Sequence, residues 1–327
     1  MTATMDRLDD EVTTDSAESA DAFTGLLGRL SDQSVRPGKH FDAYVDVPWD
    51  EYPIDRADPR WELDGLDPLG RTAWYQSQPQ EVRAAIGLHG IASKMQVGYF
   101  FEGVLKRGLL EYSQQLPAGS PELRYVYHEV IEEAQHSLMF QEFCGRAGLT
   151  TVPKLPRQAR VGAKRVVKVA KFFPELFFIF VLGGEDPIDH VQRESLRSRG
   201  EGGLHPLLER IMRIHVTEEA RHLSFARHWL KRRVPELDPF RRLVLGIGAP
   251  LILGEMGGLM MRPSNVVVRE FQIPDAVLRE AYDDNPEWLE GAANAMRKVR
   301  VLCRDLGLIT PLTKPLWKLK RIWSEDA

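Results

Sequence analysis

An eight-residue pattern occurs twice in the chain. Residues 129–136 read EVIEEAQH and residues 215–222 read HVTEEARH. Helical positions three apart share a face, one turn from each other, so Glu133 and His136 point the same way, and so do Glu219 and His222. A carboxylate beside an imidazole is a metal-ligating pair, although a single Glu-x-x-His arises on many solvated helices. Two copies in the same phase predict two similar half-sites meeting around a pair of metal ions. Hard carboxylate oxygens with neutral imidazole nitrogens suit iron in an oxygen-activating site; manganese, or a mixed manganese–iron pair, is not separated from it by ligand type.

A helical bundle built around such a site needs each of two further helices to supply one inward Glu. Glu102 fits the first, on a face with Met95, Tyr99, Leu105 and Leu109. A carboxylate inside an apolar stripe must be paired, protonated or metal-bound. Glu185 fits the second, beside Phe178, Leu182, Ile188 and Gln192. Glu102 precedes Glu133 by 31 residues and Glu185 precedes Glu219 by 34, separations that antiparallel neighbours bring level. The competing reading makes both glutamates ordinary buried ion-pair partners. His215 lies four residues before Glu219 on the same face, giving four carboxylates and three imidazoles; its competing reading is a satisfied core histidine. Glu129 takes the place of His215 in the first half and is expected behind the ligands, holding a ligand histidine through its other ring nitrogen. Glu132 and Glu218 lie about 100° round their helices and are expected to be solvated or salt-bridged.

Helices must carry these side chains. Periodicity predicts them near residues 80–115, 121–147, 156–183, 187–200, 203–233, 239–261 and 275–306. Gly183, Gly184 and Pro187 are expected to break or kink the chain beside Glu185. No stretch alternates as a strand with hairpin turns. The fold class is all-α, a ferritin-like four-helix bundle with additional flanking helices over residues 80–310. Residues 1–30 read as a disordered acidic tail, 31–79 as a Pro-rich irregular lead-in wrapping the bundle, and 311–327 as a basic, aromatic tail.

Composition narrows the setting. Of 327 residues, 43% are hydrophobic, enough for a sizeable core, and the formal net charge of −4 gives no general attraction to nucleic acid or anionic membrane. Two distant cysteines, Cys144 and Cys303, and a start without an apolar leader fit a reducing cytoplasm. Phe172–Leu182 is too short for a bilayer, which needs about 20 residues. Leu243–Met261 is long enough, but its glycines, Pro250 and Glu255 suit a buried, close-packed helix instead.

Four segments, YFFEGVL around Glu102, HEVIEEAQH, LGGEDPIDHVQRE around Glu185, and HVTEEARH, resemble the p-aminobenzoate N-oxygenases, the diiron enzymes typified by the arylamine oxygenase of aureothin biosynthesis. The His-x-x-x-Glu-x-x-His run from His215 to His222 is the sharpest match, and the resemblance covers about residues 80–310. It implies a diiron centre with Glu102, Glu133, His136, Glu185, His215, Glu219 and His222 as ligands. It implies O2 binding after reduction, a peroxo-type intermediate, and oxygen transfer to an aryl amine giving hydroxylamine, nitroso or nitro products. It also implies a homodimer.

Tyr99, Phe100, Phe177, Phe178 and Phe225 are candidates to line a dry substrate pocket, and plain core packing is the favoured reading of each taken singly. No nucleotide-binding motif follows a strand, so electrons are expected from an outside carrier such as a ferredoxin or a flavin reductase. Few groups before Glu102 offer an anchor for a substrate carboxylate; Arg297, Arg300 and Arg304 could supply one at helical spacing, although a solvated basic face is the favoured reading of them. A C–H hydroxylase, desaturase or fatty-acyl oxidase would use the same scaffold and ligands. Ferritin-type iron storage or peroxide scavenging, and a metal-free helical interaction protein, complete the competing classes.

Overall fold

The computed structural model describes residues 20–153 and 157–324; residues 1–19, most of the expected acidic tail, lie outside it. Among the described residues the chain is helical, without a strand. The helices are α1 (Ala20–Ser34), α2 (Ala73–Gln76), α3 (Gln80–Ser113), α4 (Pro121–Ala147), α5 (Arg157–Phe172), α6 (Pro174–Gly203), α7 (Pro206–Arg233), α8 (Pro239–Met260), α9 (Asn265–Glu270), α10 (Asp275–Leu278), α11 (Pro286–Ala295), α12 (Arg297–Asp305) and α13 (Lys314–Leu319). Helix α3 packs along α4, and α6 along α7, forming the four-helix bundle expected from the sequence. Helices α5 and α8 flank it, and α1 packs on α4.

Local chemistry sets the ends of these helices. Ser120 caps α4 by accepting from the Leu123 N–H, with Pro121 at the first position, and Gly148 ends the helix in the left-handed region at φ 66°. Asp238 accepts from the Phe240 and Arg241 amides ahead of Pro239 to start α8. The predicted 156–183 helix is divided at Phe173, which takes an extended φ of −146° before Pro174 because a residue preceding proline is pushed out of the helical region. The predicted 275–306 helix is likewise divided: Asn285 caps α11 ahead of Pro286, and Met296 separates α11 from α12.

Three other expectations are corrected. Residues 20–30 are not a disordered tail but part of α1, which buries Phe23, Leu26, Leu27 and Leu30 in the main core. The C-terminal segment is not a free tail, since α13 buries Trp317 completely. Helix α6 runs unbroken through Gly183–Pro187. Pro187 removes one backbone donor, but the glycines serve close packing rather than a break. A Cβ on Gly184 would sit 2.0 Å from the Phe101 ring of α3, and one on Gly183 would sit 2.8 Å from Leu253 of α8. Gly184→Ala must therefore push α6 from α3 beside Glu185 and Glu102. We expect a loss of about 1–3 kcal/mol in chemical denaturation, as for an overpacked core.

The lead-in wraps the bundle closely. Gly87 lets α3 approach the Trp61 carbonyl, where a Cβ would stand 1.7 Å from the oxygen. Trp61 is buried, stacks on His205 at 4.2 Å and donates its indole N–H to Asp55 O at 2.8 Å. Arg56 caps the end of α4 through two donations to Ala147 O, at 2.6 and 3.1 Å. The glycines of α8 also serve contact: added Cβ atoms at Gly246, Gly248 and Gly254 would meet Leu308, Leu176 and Lys320 within 3 Å. Among the described residues, no helix is long and apolar enough to cross a membrane.

Candidate metal centre

The four bundle helices bring all seven ligand candidates together in the interior. Helix α3 supplies Glu102, α4 supplies Glu133 and His136, α6 supplies Glu185, and α7 supplies His215, Glu219 and His222. All are buried, none above 3% exposed. Three groups have ligand atoms within 4.8 Å of one another: Glu102, His136 and His215; Glu133, His136 and Glu219; and Glu185, His215 and Glu219. His222 joins through Nδ1, which lies 3.0 Å from Glu133 Oε1 and 3.2 Å from Glu219 Oε1.

The polar atoms facing this interior are short of partners. Glu102 Oε1, both Glu133 oxygens, Glu219 Oε2 and His136 Nδ1 are buried without a hydrogen bond. Buried polar groups are almost always satisfied, so such a cluster needs a shared cation. The opposite edges of the same side chains are held. Ser137 donates to Glu102 Oε2 at 2.7 Å and receives the Lys106 ammonium, which also donates to Glu133 O at 2.9 Å. His215 meets Gln192 Oε1 through Nδ1 at 3.0 Å, which leaves its Nε2 lone pair facing Glu219. Oxygen and imidazole donors converging from four helices, with unsatisfied atoms inward and bonded atoms outward, fit a pair of transition-metal ions.

The repeated Glu-Glu-Ala-x-His motif now has a division of labour. The second Glu of each copy, Glu133 or Glu219, faces the centre. The first reaches across to the histidine of the opposite helix: Glu218 Oε2 lies 2.8 Å from His136 Nε2, and Glu132 Oε2 lies 2.8 Å from His222 Nε2. An ionised carboxylate there accepts the Nε2 proton, so both histidines turn Nδ1 inward. Arg221 joins the two clamps, at 2.7 Å from Glu132 and 3.5 Å from Glu218. The variable position of the motif ties down the lead-in. Arg221 donates to Lys39 O at 3.1 Å, while Gln135 accepts from Ala43 N at 2.9 Å and donates to Asp42 at 3.2 Å.

Glu132 and Glu218 are thus salt-bridged but not solvated, and they hold the histidines in the way expected of Glu129. Glu129 is fully buried, but neither of its oxygens has a hydrogen-bond partner. Sequence reasoning passed over the clamps because it placed only one Glu of each doublet on the functional face; the duplication of the whole doublet was the available signal. Among the aromatic candidates, plain core packing holds for three. Tyr99 is substantially exposed, and Phe177, Phe178 and Phe225 fill the main core. A cavity of about 560 Å³ that reaches Glu102, Glu185 and His215 is walled instead by Phe101 and Phe140.

Electrostatics follow from burial. Burial, aided by the charge of Glu133, raises Glu102 to about 8, and burial raises Glu129 to about 8. Glu185 is pushed well above the usual carboxylate range by burial and by Glu219. Burial also raises Glu219. Burial opposes ionisation of Glu132 too, but His222 and Arg221 outweigh it and hold that group at about 2. His136 and His222 are raised despite burial, by the carboxylates around them. His215 is depressed by burial and by His136, so it stays a neutral donor.

In the metal-free protein, the raised carboxylates bind more protons folded than unfolded between about pH 4.5 and 8. Stability should therefore fall as pH rises through that window, and the raised His136 and His222 extend the fall above pH 6.5. The depressed His215, with His89, His128 and His205, opposes it near pH 6.5. Bound cations neutralise Glu102, Glu185 and Glu219, so melting temperatures from pH 5.5 to 8 should decline steeply without metal and much less with it.

Comparison with known proteins agrees with this arrangement. The family described as p-aminobenzoate N-oxygenase AurF matches residues 22–307. The match begins inside α1 and includes the lead-in, so the likeness is wider than the 80–310 span expected from the motifs. Uncharacterized proteins of Mycobacterium bovis and of Mycobacterium tuberculosis strains H37Rv and CDC 1551 are each 41% identical over 311 residues, covering 94% of this chain and 89% of theirs. With the motif histidines and glutamates gathered in one buried cluster and the family match running almost end to end, the chain belongs to the p-aminobenzoate N-oxygenase family.

Proposed function

We propose that this chain is a diiron oxygenase that adds oxygen to the nitrogen of an aryl amine. The observation that carries the reading is the buried convergence of four carboxylates and three imidazoles, of which Glu102, Glu185 and His215 also line a cavity with apolar walls. Glu102, Glu133, His136, Glu185, His215, Glu219 and His222 would hold two iron ions. Iron held there would supply O2 binding and redox chemistry that no amino-acid side chain provides.

The chain's own residues prepare that chemistry. Glu132 and Glu218 fix the tautomers of His222 and His136, and Gln192 fixes that of His215. The third imidazole makes the two halves unequal, because the matching position in the other half is Glu129. Phe101, Phe140 and their apolar neighbours keep bulk water away from a bound amine. Reducing equivalents come from an outside carrier, a ferredoxin or a flavin reductase, and the working unit is a homodimer in the cytoplasm.

The test is metal analysis followed by turnover. Purified protein should carry about two metal ions per chain; the ligand set alone does not choose iron over manganese, so finding iron in both places is what supports the reading. After anaerobic reduction and exposure to O2, an aryl amine should gain oxygen on nitrogen, read by mass spectrometry as hydroxylamine, nitroso or nitro compound. Ring or chain hydroxylation, or desaturation, would assign the centre to C–H chemistry instead. Cage-sized particles that mineralise iron would assign it to storage.

A further inference from the structure

The cavity beside the metal centre constrains what can occupy it. It reaches Glu102, Glu185 and His215 at one end, and its volume is about 560 Å³. An engineered cavity of about 150 Å³ already holds benzene, whereas drug-sized ligands occupy about 300–1,000 Å³. A lone aminobenzoate would leave most of this space unfilled. The walls are apolar, with Met95, Phe140, Ile188, Leu208, Ile211 and Met212 among them.

Its charge is wrong for an anion. Apart from the metal-facing groups, Glu62, Asp64, Asp67, Glu194, Glu287 and Glu290 line it with Arg71, Lys94 and His190; Arg83 pairs with Glu62 at 2.7 Å and Arg71 offsets Glu287, which leaves Asp64, Asp67, Glu194 and Glu290 against Lys94. Arg71 is engaged by Glu287 at 2.9 Å, and Lys94 is exposed at the rim. The late-helix arginines do not line the cavity. Arg300 is fully buried and donates to Ala293 O at 2.6 Å and Ile322 O at 3.0 Å, while Arg304 pairs with Asp305. Among the described residues lining the cavity, no buried cation waits for a carboxylate, and an unpaired buried carboxylate is costly.

We infer that the substrate is an extended, mainly apolar amine whose far end is neutral or cationic, not a small aryl carboxylate. This deepens the N-oxygenase reading and rests on it for the identity of the reacting nitrogen. The amine end lies toward Glu102, Glu185 and His215, the apolar body runs along Met95, Ile211 and Met212, and the far end emerges among the rim carboxylates.

Calorimetric binding to the iron-loaded protein under argon tests this without turnover. The probes are 4-aminobenzoate, its methyl, butyl and octyl esters, and its cationic 2-(diethylamino)ethyl ester. Each fully buried CH2 is worth roughly fourfold in affinity, so the octyl ester should bind at least about 100-fold more tightly than the methyl ester. The cationic ester should match or exceed the butyl ester, and the free carboxylate should bind weakest. Met212→Trp, which fills the apolar stretch, should flatten the chain-length series while keeping methyl-ester binding. The inference is overturned if 4-aminobenzoate binds as tightly as the butyl ester, if the cationic ester binds more weakly than the free acid, or if affinity does not rise with chain length. A rising series with no oxygen on nitrogen after turnover would leave the cavity assignment intact and refute the proposed reaction. Tight 4-aminobenzoate binding with N-oxygenation would do the reverse.

Discussion

Glu133→Ala and His222→Ala should each yield a folded protein that retains little iron after dialysis and oxidises no amine. Glu133 lies between the two motif histidines, with Oε1 at 3.0 Å from His222 Nδ1 and Oε2 at 3.7 Å from His136 Nδ1. Its oxygens make no hydrogen bond, so the fold gains little from them directly. Removing them takes a charged donor from both halves. His222 is placed by Glu132 behind it and faces Glu133 and Glu219 in front, so its loss also strands the Glu132 clamp. Loss of a group behind a ligand costs about 10–100-fold in metal affinity, and loss of the ligand itself should exceed that. Metal-linked stability gives a second readout. A protein that binds metal only when folded gains about 4 kcal/mol at a thousandfold excess over its dissociation constant. Wild-type protein should show a large rise in melting temperature on adding Fe(II) anaerobically, and the variants should show almost none. Full iron occupancy with an unchanged metal-induced shift in either variant would remove Glu133 or His222 from the centre.

The parts of this protein legible in its sequence are those fixed by helical period. The interval of three in Glu133–His136 and Glu219–His222 places each pair on one face in any straight helix, and the bundle then requires Glu102 and Glu185 opposite. What sequence hid depends on contacts between helices. Whether Glu132 and Glu218 meet water or a histidine is decided by how α4 and α7 lie against each other, which no single-helix projection contains. Gly183 and Gly184 illustrate the same limit, because glycine reads locally as a breaker. Here it marks where the Phe101 ring and Leu253 press against α6. The α1 error has a different cause: Phe23, Leu26, Leu27 and Leu30 form an apolar stripe, but it follows an acidic Ser/Thr-rich run whose composition masked it. Pro174 was the missed local signal, since the residue before proline leaves the helical region and α5 therefore ends at Phe172.

Arg221→Met tests the joint behind the ligands and should cost about 3–5 kcal/mol, the usual result of deleting one partner from a buried ion pair. Arg221 is 3% exposed. It reaches Glu132 at 2.7 Å, Glu218 at 3.5 Å and Lys39 O at 3.1 Å, so one side chain neutralises both clamps and holds the lead-in over them. Methionine keeps much of the volume and removes the charge. Glu132, held at about 2 by His222 and Arg221 against its burial, would keep only His222 and shift upward. Without the Arg221 fork nothing fixes the orientation of the Glu132 carboxylate from behind, so it holds the His222 tautomer that turns Nδ1 toward Glu133 less firmly. The variant should therefore lose stability in urea and also lose about 10–100-fold in iron affinity, although it lacks no ligand. Lysine at this position restores charge without the planar fork, and should recover part of the stability while leaving iron affinity low. Arg221→Met unfolding within about 1 kcal/mol of wild type, with unchanged iron affinity, would show that the two glutamates orient their histidines without it.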